Sequence, residues 1–313
     1  MRIRLRLGRR GKRRKTDVRL TMLCAGALCL LLVCCIGLIR YFRDAGRAAQ
    51  SREAVQTLYG SPYEESETAA DRPRMRQFSV AFRKDAPEAE NAAAVPAVMN
   101  WPDNPSLAVS PAIKKLQRQN KDIIGWLTLP DSLGQAVVQR DNTYYLKRDC
   151  LGYHNANGAL FLEEGISLKT RPDTYIIFGH NMKTGEMFGA LRLYEDAGYY
   201  RKNAIIDFDV LYEDGRYVVF AVADVDTAQG MRRYVPFMQL PGMEANARRD
   251  CIRKLQTYSQ IYSPIPVDPE DQLLLLVTCM GTEESRRVVA ARRLREGETQ
   301  EGIAALLQSA RRR

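Results

Sequence analysis

An uncharged apolar run of 20 residues, Leu20 to Ile39, restricts this chain more than any other feature; only Thr21, Gly26 and Gly37 break its strongly apolar character. At about 1.5 Å of rise per residue, a helix of that length crosses a bilayer core of roughly 30 Å. The run is longer than the roughly 7–15 apolar residues of a cleavable signal peptide. Arg40, Tyr41 and Phe42 follow it in place of a small-x-small cleavage site. An uncleaved signal anchor is therefore expected. Ten basic residues precede the run (Arg2, Arg4, Arg6, Arg9, Arg10, Lys12, Arg13, Arg14, Lys15 and Arg19), whereas Arg40, Arg43 and Arg47 follow it. That asymmetry predicts a single-pass protein of the cell membrane, with a cytoplasmic N-terminus and the bulk of the chain outside.

The same count disposes of the net charge of +10. Residues 1–19 hold ten basic side chains against Asp17, so the other 294 residues carry only +1. The basic excess belongs to the tail before the anchor, and no nucleic-acid partner is expected. Of seven cysteines, Cys24, Cys29, Cys34 and Cys35 fall in the apolar run, leaving Cys150, Cys251 and Cys279 for the outer part. With only two histidines and no CxxC pair, no metal site is expected.

Composition divides the rest. Residues 1–19 form a basic cytoplasmic tail, 20–39 the transmembrane anchor, and 40–105 an extracellular linker rich in Ala, Glu, Ser, Pro and Arg. Few apolar residues recur there at a fixed period, so little surface can be buried. A single domain is expected over 106–296, followed by a charged C-terminal tail, 297–313. Ser110-Pro111 signals a helix start. Eight short strand-like runs follow: 124–129, 135–139, 158–162, 174–179, 204–210, 217–224, 273–279 and 287–294. Turn residues separate them, and Glu213-Asp214-Gly215-Arg216 reads as a hairpin. Many short strands and few helices imply a mainly β fold, a closed or nearly closed barrel. Late in the chain, 243–259 is an amphipathic helix with Ala247, Cys251, Leu255 and Tyr258 on one face.

An extracellular domain with a free cysteine invites the question of Cys–His chemistry, in which a thiolate attacks and a neighbouring cation favours it. His180 ends the apolar run TYIIFG and Cys279 ends LLLLVT, so both stand at strand termini, held by a sheet yet reachable. His154 lies in a polar loop and reads as an ordinary exposed histidine. Cys251 falls on the helix face and Cys150 precedes a loop, so both read as structural thiols. The pair Arg286-Arg287 opens the strand after Cys279, and a guanidinium near a cysteine at the end of the preceding strand suits an oxyanion.

Six segments, in order, resemble the class B sortases over roughly residues 108–295. They are DIIGWLTLP (122–130), VVQRDNTYYLKRDCLG (137–152), NGALFLEEG (157–165), TYIIFGHNMKTGEMFGAL (174–191), LLVTC (275–279) and RVVAARRL (287–294). The resemblance implies His180 as the catalytic histidine, Cys279 as the nucleophile and Arg287 as the catalytic arginine, chosen over Arg286 because the strand after it then aligns. It implies no metal or organic cofactor. It also implies a sortase β-barrel that cleaves a C-terminal sorting signal of the Asn-Pro-x-Thr-Gly/Asn/Ser kind at the threonine carbonyl. Transfer through a thioester to a cell-wall precursor peptide amine would follow, with secreted proteins bearing such signals as partners. Other readings of the same residues are a non-catalytic sortase-like peptide-binding module, a hydrolytic thiol protease and a pilus-polymerising sortase.

Overall fold

A computed structural model describes residues 17–60, 101, 104–130, 134–280 and 282–313. The basic tail up to residue 16 and the linker from 61 to 100 lie outside the described residues. By internal contacts the chain forms two units, residues 1–47 and 48–313. One helix, α1 (Asp17–Tyr59), contributes to both. Within it Met22–Arg40 is long and apolar enough to cross a membrane, and none of that stretch is buried.

The second unit is built on strands that match the eight apolar runs. In chain order, helix α2 (Pro111–Gln117) precedes β1 (Ile123–Thr128), β2 (Gln135–Val138), β3 (Leu160–Leu162) and β4 (Thr174–Phe178). Helix α3 (Ala197–Asn203), β5 (Ile205–Val210), β6 (Arg216–Asp226), helix α4 (Ala245–Thr257) and the short β7 (Ile261–Tyr262) come next. The chain then runs through β8 (Leu273–Met280), β9 (Thr282–Arg293), helix α5 (Gln300–Leu307) and β10 (Arg311–Arg312). Eight strands close into a barrel in the order β1-β2-β3-β4-β8-β9-β6-β5, with β5 pairing back to β1. Closure leaves no unpaired edge. Pairing is antiparallel except between β2 and β3 and between β4 and β8.

Leu273–Val277 of β8 and Tyr217–Ala223 of β6 are buried without alternation. Such runs mean that both sheet faces are covered. Helix α4 packs on β6, and a 3-10 turn at Phe188–Glu195 packs on β8. The buried face of α4 is Arg248, Cys251, Ile252 and Leu255. Ala247 is exposed, contrary to the expected face, because Arg248 takes the inward position. Its guanidinium donates to the carbonyls of Pro269, Leu240, Asp173 and Asp271 and to the Thr174 hydroxyl. Main-chain acceptors on this scale hold a cation that apolar periodicity would place outside.

Two segments are more ordered than their composition suggests. Helix α1 continues through Tyr59 into the stretch read as linker, and Ser51 and Val55 are buried. In the stretch read as a tail, Thr299 caps α5 by accepting from Gly302 N, and Ile303 and Leu307 pack inward one turn apart. Beyond it β10 pairs with β7.

Candidate active site

His180 and Cys279 leave neighbouring parallel strands at the same rim. The β4–β8 register pairs Phe178 with Val277, the last aligned positions before the two side chains. Past the ladder the strands remain stitched together. Gly179 N donates to Val277 O (3.2 Å), Thr278 Oγ1 donates to Gly179 O (2.7 Å) and Asn181 Nδ2 donates to Cys279 O (3.0 Å). Thr278 is buried, so its hydroxyl serves this backbone junction. Gly179 permits the close approach: a β-carbon there would lie 2.5 Å from Leu160 Cδ2 and 2.8 Å from Phe188 Cδ2.

His180 is half-buried and its Nε2 lies 2.8 Å from Leu146 O. A carbonyl oxygen only accepts, so Nε2 carries the hydrogen, and proton exchange falls to Nδ1. Cys279 is exposed. Both open into one cleft with about 660 Å³ of empty volume, lined by Asn142, Leu146, Phe161, Phe178, Gly179, His180, Val277, Thr278, Cys279 and Arg286. Phe161 and Phe178 pack against each other in it, with ring centroids 5.4 Å apart. An apolar wall with a few convergent polar groups suits an extended peptide.

The expected arginine, Arg287, and its neighbour Arg286 stand opposite different residues of β8. In the β8–β9 ladder Cys279 stands opposite Arg286, and Thr278 opposite Arg287. Directly paired residues put their side chains on one face, so Arg286 shares the cleft face with the thiol. Arg287 points the other way. Only 4% of its surface is exposed. It forms a two-pronged bond to Asp224 (2.8 and 2.9 Å) and an ion pair with Glu195 (2.5 Å). Burial works against its charge, but Asp224 and Glu195 outweigh it and hold the pKa above the ordinary arginine value. A guanidinium so occupied is a structural tie between β9, β6 and the 188–195 turn.

His154 is exposed. Cys150 and Cys251 are buried, and desolvation pushes each thiol up to about 12, which disfavours the thiolate. Among the described residues, no three His, Cys, Asp or Glu side chains gather as metal ligands do. Sequence reasoning missed Asn181, Asn142 and Leu146 as parts of the site. All three lie in segments that carry the resemblance, Asn181 in 174–191 and the other two in 137–152, but nothing local assigned them to the cleft.

No family model matches the chain. It is 27% identical over 190 residues to Sortase B of Staphylococcus aureus, covering 59% of this chain and 75% of that protein. It is likewise 27% identical over 169 residues to Sortase B of Listeria monocytogenes, covering 53% and 66%. Among solved structures, a Staphylococcus aureus sortase B–substrate complex superposes with a TM-score of 0.53 at 28% identity, over 61% of this chain and 88% of that one. Sortase B from Bacillus anthracis in complex with AAEK1 gives 0.53 at 27% identity, over 60% and 86%. The ring of eight strands, with a thiol and an imidazole at one rim, and these likenesses together define a sortase. Within the sortases, the chain is of class B.

Proposed function

We propose that this class B sortase is a cysteine transpeptidase in which Cys279, His180 and Arg286 carry the chemistry. The supporting observation is that these three side chains, brought from β8, the end of β4 and β9, line one cleft at one rim. The Cys279 thiolate attacks the threonine carbonyl of a sorting peptide of the Asn-Pro-x-Thr kind. Arg286, opposite the nucleophile in the ladder, stabilises the oxyanion as it forms. Imidazolium His180 gives the Nδ1 proton to the leaving amine as the C–N bond breaks, leaving a thioester. It then takes a proton from the incoming amine, which attacks that thioester, and the C–S bond breaks to release the Cys279 thiolate. Nε2 stays on Leu146 O throughout and fixes the ring.

Secreted proteins ending in such signals are the donors, and a cell-wall peptide amine is the acceptor. The apolar helix anchors the enzyme, and the basic asymmetry around it places the domain outside. The test is direct. The full chain, incubated with an Asn-Pro-x-Thr-Asn peptide without amine, accumulates a mass adduct on the Cys279 peptide, and added amine discharges it to product. Cys279→Ala gives neither. An equal adduct yield from that variant would end the proposal.

A further inference from the structure

The last turns of α1, residues 48–59, belong to the same unit as the barrel. They are built into it. Ser51 Oγ donates to buried Asp149 (2.8 Å), Val55 is buried, and Tyr59 stacks on Trp126 with centroids 4.3 Å apart. Arg52 holds Glu186 Oε1 at 2.5 Å, while Glu186 Oε2 accepts from Asn157 Nδ2 at 3.1 Å.

Glu186 and Asn157 belong to the two walls of His180. Glu186 lies in the loop that leaves His180 and returns to it, with Asn181 bridged to Met187 and Phe188 N donating to His180 O (3.0 Å). Asn157 precedes Gly158, where a β-carbon would lie 3.0 Å from His180 Cδ2. The Glu186 carboxylate therefore clamps the turn on one side of the imidazole to the loop on the other, and a cation from α1 holds that carboxylate. The reaction needs the imidazole positioned closely, and small displacements of a reacting group are costly.

We infer that Arg52 is a positioning residue for His180, so that the membrane-anchored helix is a working part of the catalytic unit beyond its role as a tether. This rests on the reading of Cys279 and His180 given above. The ion pair is about one-third exposed on each side (32% and 34%), so its direct stabilisation is small and its effect lies in geometry.

The experiment uses the full chain in detergent micelles. It compares wild type, Arg52→Ala, Arg52→Lys, Glu186→Gln, the reversed pair Arg52→Glu with Glu186→Arg, and Glu53→Gln as a control on the same helix. Steady-state turnover of the Asn-Pro-x-Thr-Asn peptide and melting are measured for each. The pH profile of Cys279 alkylation by iodoacetamide is read by peptide mass spectrometry. Arg52→Ala and Glu186→Gln should each lower kcat at least about five-fold, by displacing the imidazole, with KM and Tm held. Their alkylation profiles should shift along the pH axis. Arg52→Lys should recover most of the loss, the reversed pair, which leaves Asn157 Nδ2 without its carboxylate acceptor, should not, and Glu53→Gln should match wild type. Wild-type kcat with an unmoved profile in both single variants overturns the brace and leaves the Cys279 chemistry standing. A wild-type chain that forms no Cys279 thioester overturns the site reading, and the brace with it.

Discussion

Adjacent arginines on β9 should fail in opposite ways when replaced. Arg286→Ala removes the cation paired across the ladder with Cys279 and leaves a half-buried surface position. Loss of one oxyanion donor costs about 10²–10³ in turnover, whereas stability should change by less than about 1 kcal/mol. Arg287→Ala strips the partner from Asp224 and Glu195, whose side chains are 15% and 36% exposed. Removing one member of a buried pair costs about 3–5 kcal/mol; the more exposed Glu195 is partly rescued by solvent, which favours the lower end, about 3. At about 2–4 °C per kcal/mol for a domain of this size, Tm should fall by about 6–12 °C. Turnover of the folded fraction should stay within a few-fold of wild type. The assay is calorimetric melting of the full chain beside peptide turnover at 20 °C, well below either transition. Should Arg287→Ala unfold outright, Arg287→Lys keeps the charge, loses the two-pronged bond and gives a smaller Tm drop with activity retained. A folded, inactive Arg287→Lys beside an active Arg286→Ala would refute the assignment from strand pairing.

Three further outcomes follow from the geometry. Asp209, half-buried, desolvated and close to Asp214 and Asp207, has its pKa raised to about 6 even though Tyr59 OH donates to it. The fold prefers the neutral acid, so stability is full below the ordinary pKa near 4 and declines as pH rises through about 6, by on the order of 3 kcal/mol. Asp209→Asn should flatten that decline in urea unfolding at pH 4 and pH 7.5; an unchanged slope would count against it. Gly158 has φ of +62°, and a β-carbon there would lie 2.7 Å from Tyr145 O. Gly158→Ala should cost about 1–3 kcal/mol and, by pressing on the imidazole, lower turnover at least about ten-fold. Thr278→Val removes the bond to Gly179 O that joins the ends of β4 and β8. It should destabilise by about 1 kcal/mol, read as a shift in the denaturant midpoint.

Much of the architecture was legible in local pattern. Every strand of the ring falls on one of the eight apolar runs, and both helices expected from sequence, α2 and α4, form. The reason is that alternation, turn residues and strand length are properties of neighbouring residues. The same locality marked His180 and Cys279, because a buried strand that ends in a reactive side chain followed by glycine-rich turn residues is visible in one dimension. Helix α5 was readable in principle from Thr299 and the one-turn spacing of Ile303 and Leu307. The charged ends around it masked the signal.

The sequence by itself determined the apolar helix, the strands and two of the three residues proposed for the chemistry. The tertiary structure alone decided the third. Residues 273–277 and 288–291 are apolar throughout, so no alternation tells which face each side chain takes, and a one-residue slip in pairing exchanges Arg286 for Arg287. Only the ladder, closed by β6 on the far side, sets that register. The grip of Arg52 on Glu186 across 134 residues is of the same kind. Contacts at such separation exist because a closed barrel brings distant segments to one rim, and no local periodicity records them.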